Sequence, residues 1–538
     1  MTLTRRTFVG TGGAAVAGLS LGASVAWPAR AQSSDTLKIA LSARGLRTID
    51  PAASIQGADE WAIIHIYETL VALPLGHFPQ SVDEVQPALA ESWEANDDAT
   101  VWTFNLRQGV PFHDGYGEMT AEDVKYTFDR LIDPEELGVR TSLFQNLDGT
   151  DIVDDTTVQL RLKEPDPLFI MGPMLHHSAS VVSRKAREEK GPEAFAREPV
   201  GTGPYRLVSI AQDPSQGVTL EAFPDYWGEQ PATPRLQVLY ISDTTARTLA
   251  LLSGDIHMME GVRAPGWVPS IQDKSPDLHF DVASPGSFFT VSFNLEHEPF
   301  DNQKVRQAMA HLIDRDRITQ AMSPFGQRTW GLNPPSYPAG FTEETIPDEV
   351  RYDFDVARAK ELLSEAGYPD GFQFSAYTSQ REDYSSIMLM IQELLRAGGI
   401  EMDLQLKDHT AFHADQATGT NTLFQRSATY PPVPTVAIGE QLTAGAEVKP
   451  DSSGGPNFSH YGVAMPGIDE MLSEAMNEPD IDARIAKVQE IEVKFLTDMP
   501  LLPVVDNGYM IVRAPNVDLG YELESGYAHW TLTEATIG

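Results

Sequence analysis

Along residues 36–505 the apolar residues keep changing their period, and that alternation limits the folds open to the chain. Residues 36–41 (TLKIAL) alternate in twos, as a half-buried strand does. Over residues 61–71, Ile63, Ile64, Tyr67 and Leu70 recur at helical spacing. The pattern predicts further strands over 100–106 (TVWTFNL), 156–162, 287–295 (SFFTVSFNL), 400–406 and 501–505. It predicts further helices over 246–252, 302–313, 355–366, 384–395 and 481–497. Thr120 with Asp123 three residues on opens another helix with a capping box, and Val124, Phe128 and Leu131 continue its apolar face. Strands and helices interleaved in this way give a mixed α/β protein. No repeat or low-complexity linker interrupts the pattern, so composition alone sets no domain boundary.

The N-terminus reads as an export signal. Arg5 and Arg6 form a charged start, Phe8 and a stretch rich in Ala and Gly follow, and Ala29 and Ala31 frame a cleavage site that leaves Gln32 as the new N-terminus. Paired arginines with a Phe two residues later resemble the twin-arginine type. No later segment reaches the ~18 uninterrupted apolar residues of a membrane span. A soluble, exported protein is expected. Cysteine is absent, which excludes disulfides, thiolate nucleophiles, cysteine-based metal sites and an acylated N-terminal cysteine.

With 77 acidic against 39 basic residues, the formal net charge of −38 argues against nucleic acid and against a polybasic membrane dock. Catalytic motifs are missing: there is no G-x-S-x-G elbow, Walker loop, H-E-x-x-H or EF-hand loop. Gly201 and Gly203 precede Pro204, as in a turn rather than a phosphate cradle. His176 and His177 are adjacent and point different ways, which makes them awkward ligands to one ion. His409 and His413 have the i,i+4 spacing of a helical metal pair, with Asp408 and Asp415 as the only helpers. No cofactor is expected.

Several segments in a fixed order carry a resemblance. They are YETLV (67–71), ALAESW (88–93), WTFNLR (102–107) with GVPFHDG (109–115), TAEDV (120–124), VGTGPY (200–205), DYWG (225–228) and LLSGD (251–255). They continue with PFD (299–301), VRQA (305–308), IDR (313–315), AKELL (359–363) and AGYPDG (366–371). In this order they resemble the extracytoplasmic solute-binding proteins of the dipeptide/oligopeptide/nickel type, family 5, which feed ABC importers. The resemblance implies an α/β, two-lobed periplasmic binding protein with an extra subdomain inserted in the first lobe. The implied layout is lobe I at 32–283 and 507–538, an insertion at about 56–196, and lobe II at 284–506. The implied function is capture of a small organic solute by hinge closure and delivery to permease subunits, by a monomer without catalysis. A secreted hydrolase of unrecognised type and a metal-chelate binder using His176, His409 or His413 are the alternatives. Trp93, Trp102, Phe104, Phe112 and Trp227 are expected in the core. Asp301, Arg306, Asp314 and Arg315 are expected as ion pairs or caps.

One stretch stands out within this frame. Residues 416–439 contain no Asp or Glu and a single arginine, Arg426, inside FQRSATYPPVP (424–434). In peptide binders of the family, an aspartate in this region meets the peptide's ammonium group, and the resemblance puts Thr429 at that place. Two readings stand. The stretch faces the cleft, with Arg426, Thr429 and Tyr430 lining a site for a neutral or anionic group; or it is a buried loop shaped by Pro431, Pro432 and Pro434. The family layout adds Ser284, Ser287 and Phe288 at one lobe crossing and Tyr509 at the return crossing. It also adds Arg381 between a strand and a helix, Arg44 after the first strand, and Trp330 and Tyr337 as aromatic walls.

Overall fold

The computed structural model describes residues 35–538 apart from 55–56, 80, 134–140, 431, 452–453 and 526–529. The expected export signal lies outside the described residues. A nine-stranded sheet forms the spine. Its order is Leu423–Ala428, His279–Phe293, Leu501–Arg513, Met258–Glu260, Thr36–Leu41, Arg235–Tyr240, Val218–Ala222 and Tyr205–Ile210, with Gly326–Gln327 pairing onto Leu501–Arg513. Thr36–Leu41 runs parallel to both its neighbours, and the remaining pairs are antiparallel. A four-stranded antiparallel sheet (Ala90–Ala95, Val101–Leu106, Thr157–Leu162, Leu147–Asp154) stands apart from it. So does a parallel pair, Gln373–Ser379 with Glu401–Lys407, joined through helix Glu382–Leu395.

Two apolar cores form on this spine. One draws on Leu37, Ile39, Trp61, Phe104, Phe128 and Trp530, all buried. The other draws on Phe289, Val305, Ile387, Ile438, Val488 and Phe495. Strands His279–Phe293 and Leu501–Arg513 supply both. Side chains alternate across a strand, so Tyr509 and Ile511 join the first core while Met510 and Val512 join the second. Arg484 at the start of helix Ile481–Asp498 is buried and bonds the half-buried Asp166 at 3.1 Å.

The family-like segments owe their composition to packing. Glu68 accepts hydrogen bonds from Thr202 Oγ1 (2.8 Å), Tyr226 Oη (2.8 Å) and Trp227 Nε1 (2.9 Å). Arg107 lies 4.4 Å over the Trp227 ring and donates to the Ala88 carbonyl at 3.0 Å. His113 Nε2 meets the Gly203 carbonyl at 2.8 Å. Five separated segments thus meet around one carboxylate and one guanidinium. Burial pushes Glu68 up to about 7 against the pull of its three donors. Replacing Glu68 with Met leaves those donors unmatched, and a loss of about 2 kcal/mol is expected in urea unfolding; an unchanged midpoint would show that the cluster does not hold these segments.

The capping box forms as expected: Thr120 and Asp123 bond reciprocally at the start of helix Ala121–Ile132. Trp102, Phe104 and Phe112 are buried, whereas Trp93 and Trp227 are half-buried. Asp314 caps helix Arg315–Ala321 by accepting from Arg317 N at 2.9 Å, and Arg315 donates to the carbonyls of Arg351 and Tyr352. Arg306 is buried, and its donors go to backbone carbonyls.

Candidate ligand-binding site

Ser284, Ser287, Asp506 and Asn507 lie where the two long strands cross between the cores. Register runs regularly to Ala283↔Tyr509 and resumes at Ser287↔Asn507, so residues 284–286 bulge out of the ladder. A side chain at Gly286 would meet the Asn507 carbonyl, its Cβ only 2.0 Å away, so only glycine fits. The Gly286 N–H donates to the Asp506 carboxylate at 2.8 Å. Burial pushes Asp506 up to about 7. Arg263 Nη1 donates to Ser287 Oγ at 3.2 Å, and the guanidinium sits 5.9 Å from the Tyr509 ring centre. Ser284 and Tyr509 are buried.

Phe288 starts an aromatic row. Its ring centre lies 5.8 Å from Tyr337 and 5.5 Å from Tyr430, and Tyr337 lies 6.0 Å from Phe78. Tyr337 Oη donates to the Tyr430 carbonyl at 2.5 Å, fixing the turn that follows strand Leu423–Ala428. Thr429, between that strand and Tyr430, is exposed.

Arg426 pairs in register with Thr290 on the crossing strand. Its Nε donates to Tyr430 Oη at 3.0 Å and its Nη2 to Glu440 Oε2 at 2.8 Å. Glu440 is the first acid after the acid-free run, so the stretch that lost its carboxylates receives one from just beyond its end. Chain folding thus brings Arg426 an acid from outside the acid-free run. Pro432 and Pro434 are buried, and Pro431 lies outside the described residues.

Arg381 precedes helix Glu382–Leu395 and pairs with Asp383 at 2.7 Å. Its Nη1 faces His409 Nε2 at 3.3 Å, while His409 Nδ1 meets Ser379 Oγ at 2.9 Å. Both nitrogens of His409 are therefore engaged within the protein. The His409 and His413 rings lie 4.5 Å apart on helix His409–Gln416. Burial lowers the pKa of His413, and the charges of His409, Arg381 and Arg426 lower it further. His413 and Arg426 line, with Tyr384, a cavity of about 340 Å³ whose walls include Gln425 and Phe458.

The structure thus gathers Ser284, Ser287, Phe288 and Tyr509 at the crossing, and Arg381, Arg426 and Tyr430 nearby. Trp330 is held elsewhere, stacked between Arg328 at 4.0 Å and Arg351 at 4.8 Å, whose charges meet Asp316, Asp353 and Glu343. Arg44 is exposed in the loop after the first strand. Among the described residues no group of three His, Asp or Glu side chains is arranged to hold a metal ion. His176 and His177 have ring centres 4.1 Å apart, tilted by 37°, in a tight turn, with His177 buried 3.5 Å from Glu60. Sequence reasoning missed Arg263, Glu440 and Gln425. Glu440 had a signal, as the acid that closes the gap; Arg263, in a Gly- and Pro-flanked loop, had only a weak one.

Comparison with known proteins adds the lineage. Residues 84–443 match the family described as bacterial extracellular solute-binding proteins, family 5 middle. The glutathione-binding protein GsiB of Shigella flexneri serotype 5b (strain 8401) is 31% identical over 331 residues, 60% of this chain and 62% of that protein. GsiB of Salmonella typhi is 32% identical over the same shares. The chain thus spans less than two thirds of the length of these curated relatives. Solved structures align over more. The PBP/SBP MoaA in complex with mannopinic acid, from A. tumefacien R10, is 26% identical with a TM-score of 0.76, covering 93% of this chain and 99% of that one. The periplasmic binding protein DppA from Helicobacter pylori in complex with peptide STSA has a TM-score of 0.73 at 24% identity, covering 93% and 98%. The fold is accordingly that of the two-lobed periplasmic binding proteins, and the chain belongs to the family 5 bacterial extracellular solute-binding proteins.

Proposed function

We propose that this protein is the solute-binding component of an ABC importer. It captures a small organic solute between its lobes and presents the closed form to permease subunits. The observation that carries this reading is the pair of strands that serve both cores, His279–Phe293 and Leu501–Arg513. Two cores that share a pair of strands can rotate as bodies, the hinge closure open to two-lobed binders. The lobes are taken as 32–283 with 507–538, carrying an insertion at about 56–196, and 284–506. The bulge at 284–286 and Asp506 sit at that boundary.

The protein is read as a monomer without catalysis, exported to the periplasm by the twin-arginine route. Arg5, Arg6, Phe8 and the Ala29/Ala31 site support export, and no described helix is long and apolar enough to cross a membrane. The solute is not anchored by a free amine: Thr429 stands where peptide binders carry an acid, and Glu440 is occupied by Arg426. Relatives named as glutathione-binding or in complex with mannopinic acid support a small organic solute.

Native mass spectrometry of protein taken from the periplasm, with small-angle scattering before and after ligand removal, tests the reading. A non-covalent mass lost on unfolding and a more compact bound form are expected, because a ligand shifts the equilibrium by its preference for the closed state. Absence of any bound mass, with no periplasmic-extract fraction raising the melting temperature, would sink it.

A further inference from the structure

Asp166 and Arg484 form an ion pair at 3.1 Å that joins the two cores away from the strands they share. The side chains are 13% and 2% exposed. Each end is anchored in its own core. Asp166 precedes Leu168, Phe169 and Ile170 of the first core. Its N–H donates to the Ala99 carbonyl at 3.0 Å, and its carbonyl accepts from Trp102 Nε1 at 3.3 Å. Arg484 stands on helix Ile481–Asp498, whose Val488, Ile491 and Phe495 lie in the second core. Its Nη1 also donates at 3.3 Å to the carbonyl of Met476, which ends helix Ile468–Met476 of the same core. Neither residue lines the cavity beside Arg426.

What such a pair contributes depends on whether the cores are together. In this structure they are, and both charges are out of water: burial raises the pKa of Asp166 and lowers that of Arg484. Arg484 Nε is buried without a partner, and Asp166 is the acid that offsets its charge. A buried cation that loses its acid is strongly unfavourable. With the cores apart, water solvates each group and neither needs the other. A groove of about 590 Å³ beside the pair, lined by Trp93, Trp102 and Pro167 from the first core and by Pro479 and Ile481 at the helix start, gives water a path to it. Rotation about the shared strands separates residues fixed to different bodies.

We infer that Asp166–Arg484 is a latch of the closed form: the pair forms as the two bodies meet, and it tightens the hold on a solute that it does not touch. A solute that binds the closed form is held in proportion to the population of that form. The latch rests on the hinge-closure reading above and names the residues that bias it.

The test uses the full mature chain. Cysteine is absent, so Asp155→Cys on the four-stranded sheet and Glu490→Cys on helix Ile481–Asp498, both at exposed positions, carry two nitroxide labels, one on each body. Pulsed-EPR distances then report closure. The probe is the small-molecule fraction released by heat from wild-type protein taken from the periplasm, added to solute-free labelled protein. Asp166→Asn is expected to raise the dose for half-closure about tenfold or more. Asp166→Leu combined with Arg484→Met removes both charges and is expected to bring the dose back to within about threefold of the wild type. The solute-free urea midpoint of Asp166→Asn is expected to equal that of the wild type, because the open form does not use the pair. An unchanged dose, or a double variant as impaired as Asp166→Asn, overturns the latch. So does a fall in the solute-free midpoint, which would make the pair a fixture of the fold in both forms. If the wild-type distance is the same with and without the probe, closure itself falls and takes the latch with it; if closure is seen and the dose does not move, the latch falls alone.

Discussion

Replacing Arg306 with Met is expected to cost about 3–5 kcal/mol, the largest stability loss among single substitutions discussed for this chain. The side chain is 1% exposed. Its Nη1 donates to the carbonyls of Phe300 (2.8 Å) and Asp301 (3.1 Å), its Nη2 to Asp498 (2.6 Å) and its Nε to Met499 (3.0 Å). Those carbonyls belong to the turn before helix Gln303–Leu312 and to the C-terminal end of helix Ile481–Asp498. Met499, at φ 51, leaves that helix in the left-handed region, so its backbone depends on outside partners. Burial lowers the Arg306 pKa to about 10, which leaves it fully charged at neutral pH. Methionine fills similar volume and offers no donor, so four carbonyls lose their partner. Lysine keeps the charge but lacks the planar fork, and most of the loss is expected for Arg306→Lys as well. Urea unfolding of both variants checks this; a loss below about 1 kcal/mol for Arg306→Met would mean that water replaces the guanidinium.

The protein is also expected to become more stable as the pH falls from about 8 to about 6. Glu492 and Asp506 are buried with pKa values pushed up to about 7, and Glu68 shares that value. Each folded-state pKa is raised above its unfolded value, so the folded chain binds protons that the unfolded chain does not. Stability therefore rises as pH falls through about 7 and levels off below the ordinary carboxyl range. The two fully buried acids contribute on the order of 1 kcal/mol each across that window. His65 and His113 act in the opposite sense: burial lowers both to about 4. Their contribution is complete above an unfolded value near 6.5 and is lost as pH falls towards 4. The combination places the maximum on the mildly acidic side. Denaturant midpoints at about pH 8, 6 and 4 measure it. Glu492→Gln should reduce the rise between 8 and 6, because Glu492 accepts from Leu332 N, Asn333 N and Asn333 Nδ2 at 2.7–3.0 Å. A flat profile between 8 and 6 would contradict the assignment.

Much of the fold was legible where local pattern and burial agree. Helices Gln303–Leu312 and Glu382–Leu395 lie within two residues of the expected spans, since caps and apolar faces determine them locally. The crossing strands were not legible in full. Their expected extents, 287–295 and 501–505, are shorter than the observed His279–Phe293 and Leu501–Arg513. Pro285 and Gly286 in one strand, and Asn507 and Gly508 in the other, interrupt the alternation that marks a strand, yet pairing resumes beyond them. A ladder between residues more than two hundred positions apart leaves no local trace. The helix expected over 61–71 ends at Ile66 because Val71 pairs with Pro87 in a short strand. At the site, residue types were readable and partners were not. Arg426 stood out by the absence of nearby acids, but only the fold shows Glu440 beside it and Gln425 with an unmatched amide.

The cluster around Glu68 bears on how relatives should be sorted by cargo. The segments that make the chain recognisable, at 67–68, 88, 107, 202–203 and 226–227, converge on one carboxylate and one arginine inside a single core. In this chain they meet because they assemble that core. Two chains that share this vocabulary share a chassis. Its donors and acceptors are spent on one another inside the core, so a classification by transported compound should not rest on that signature.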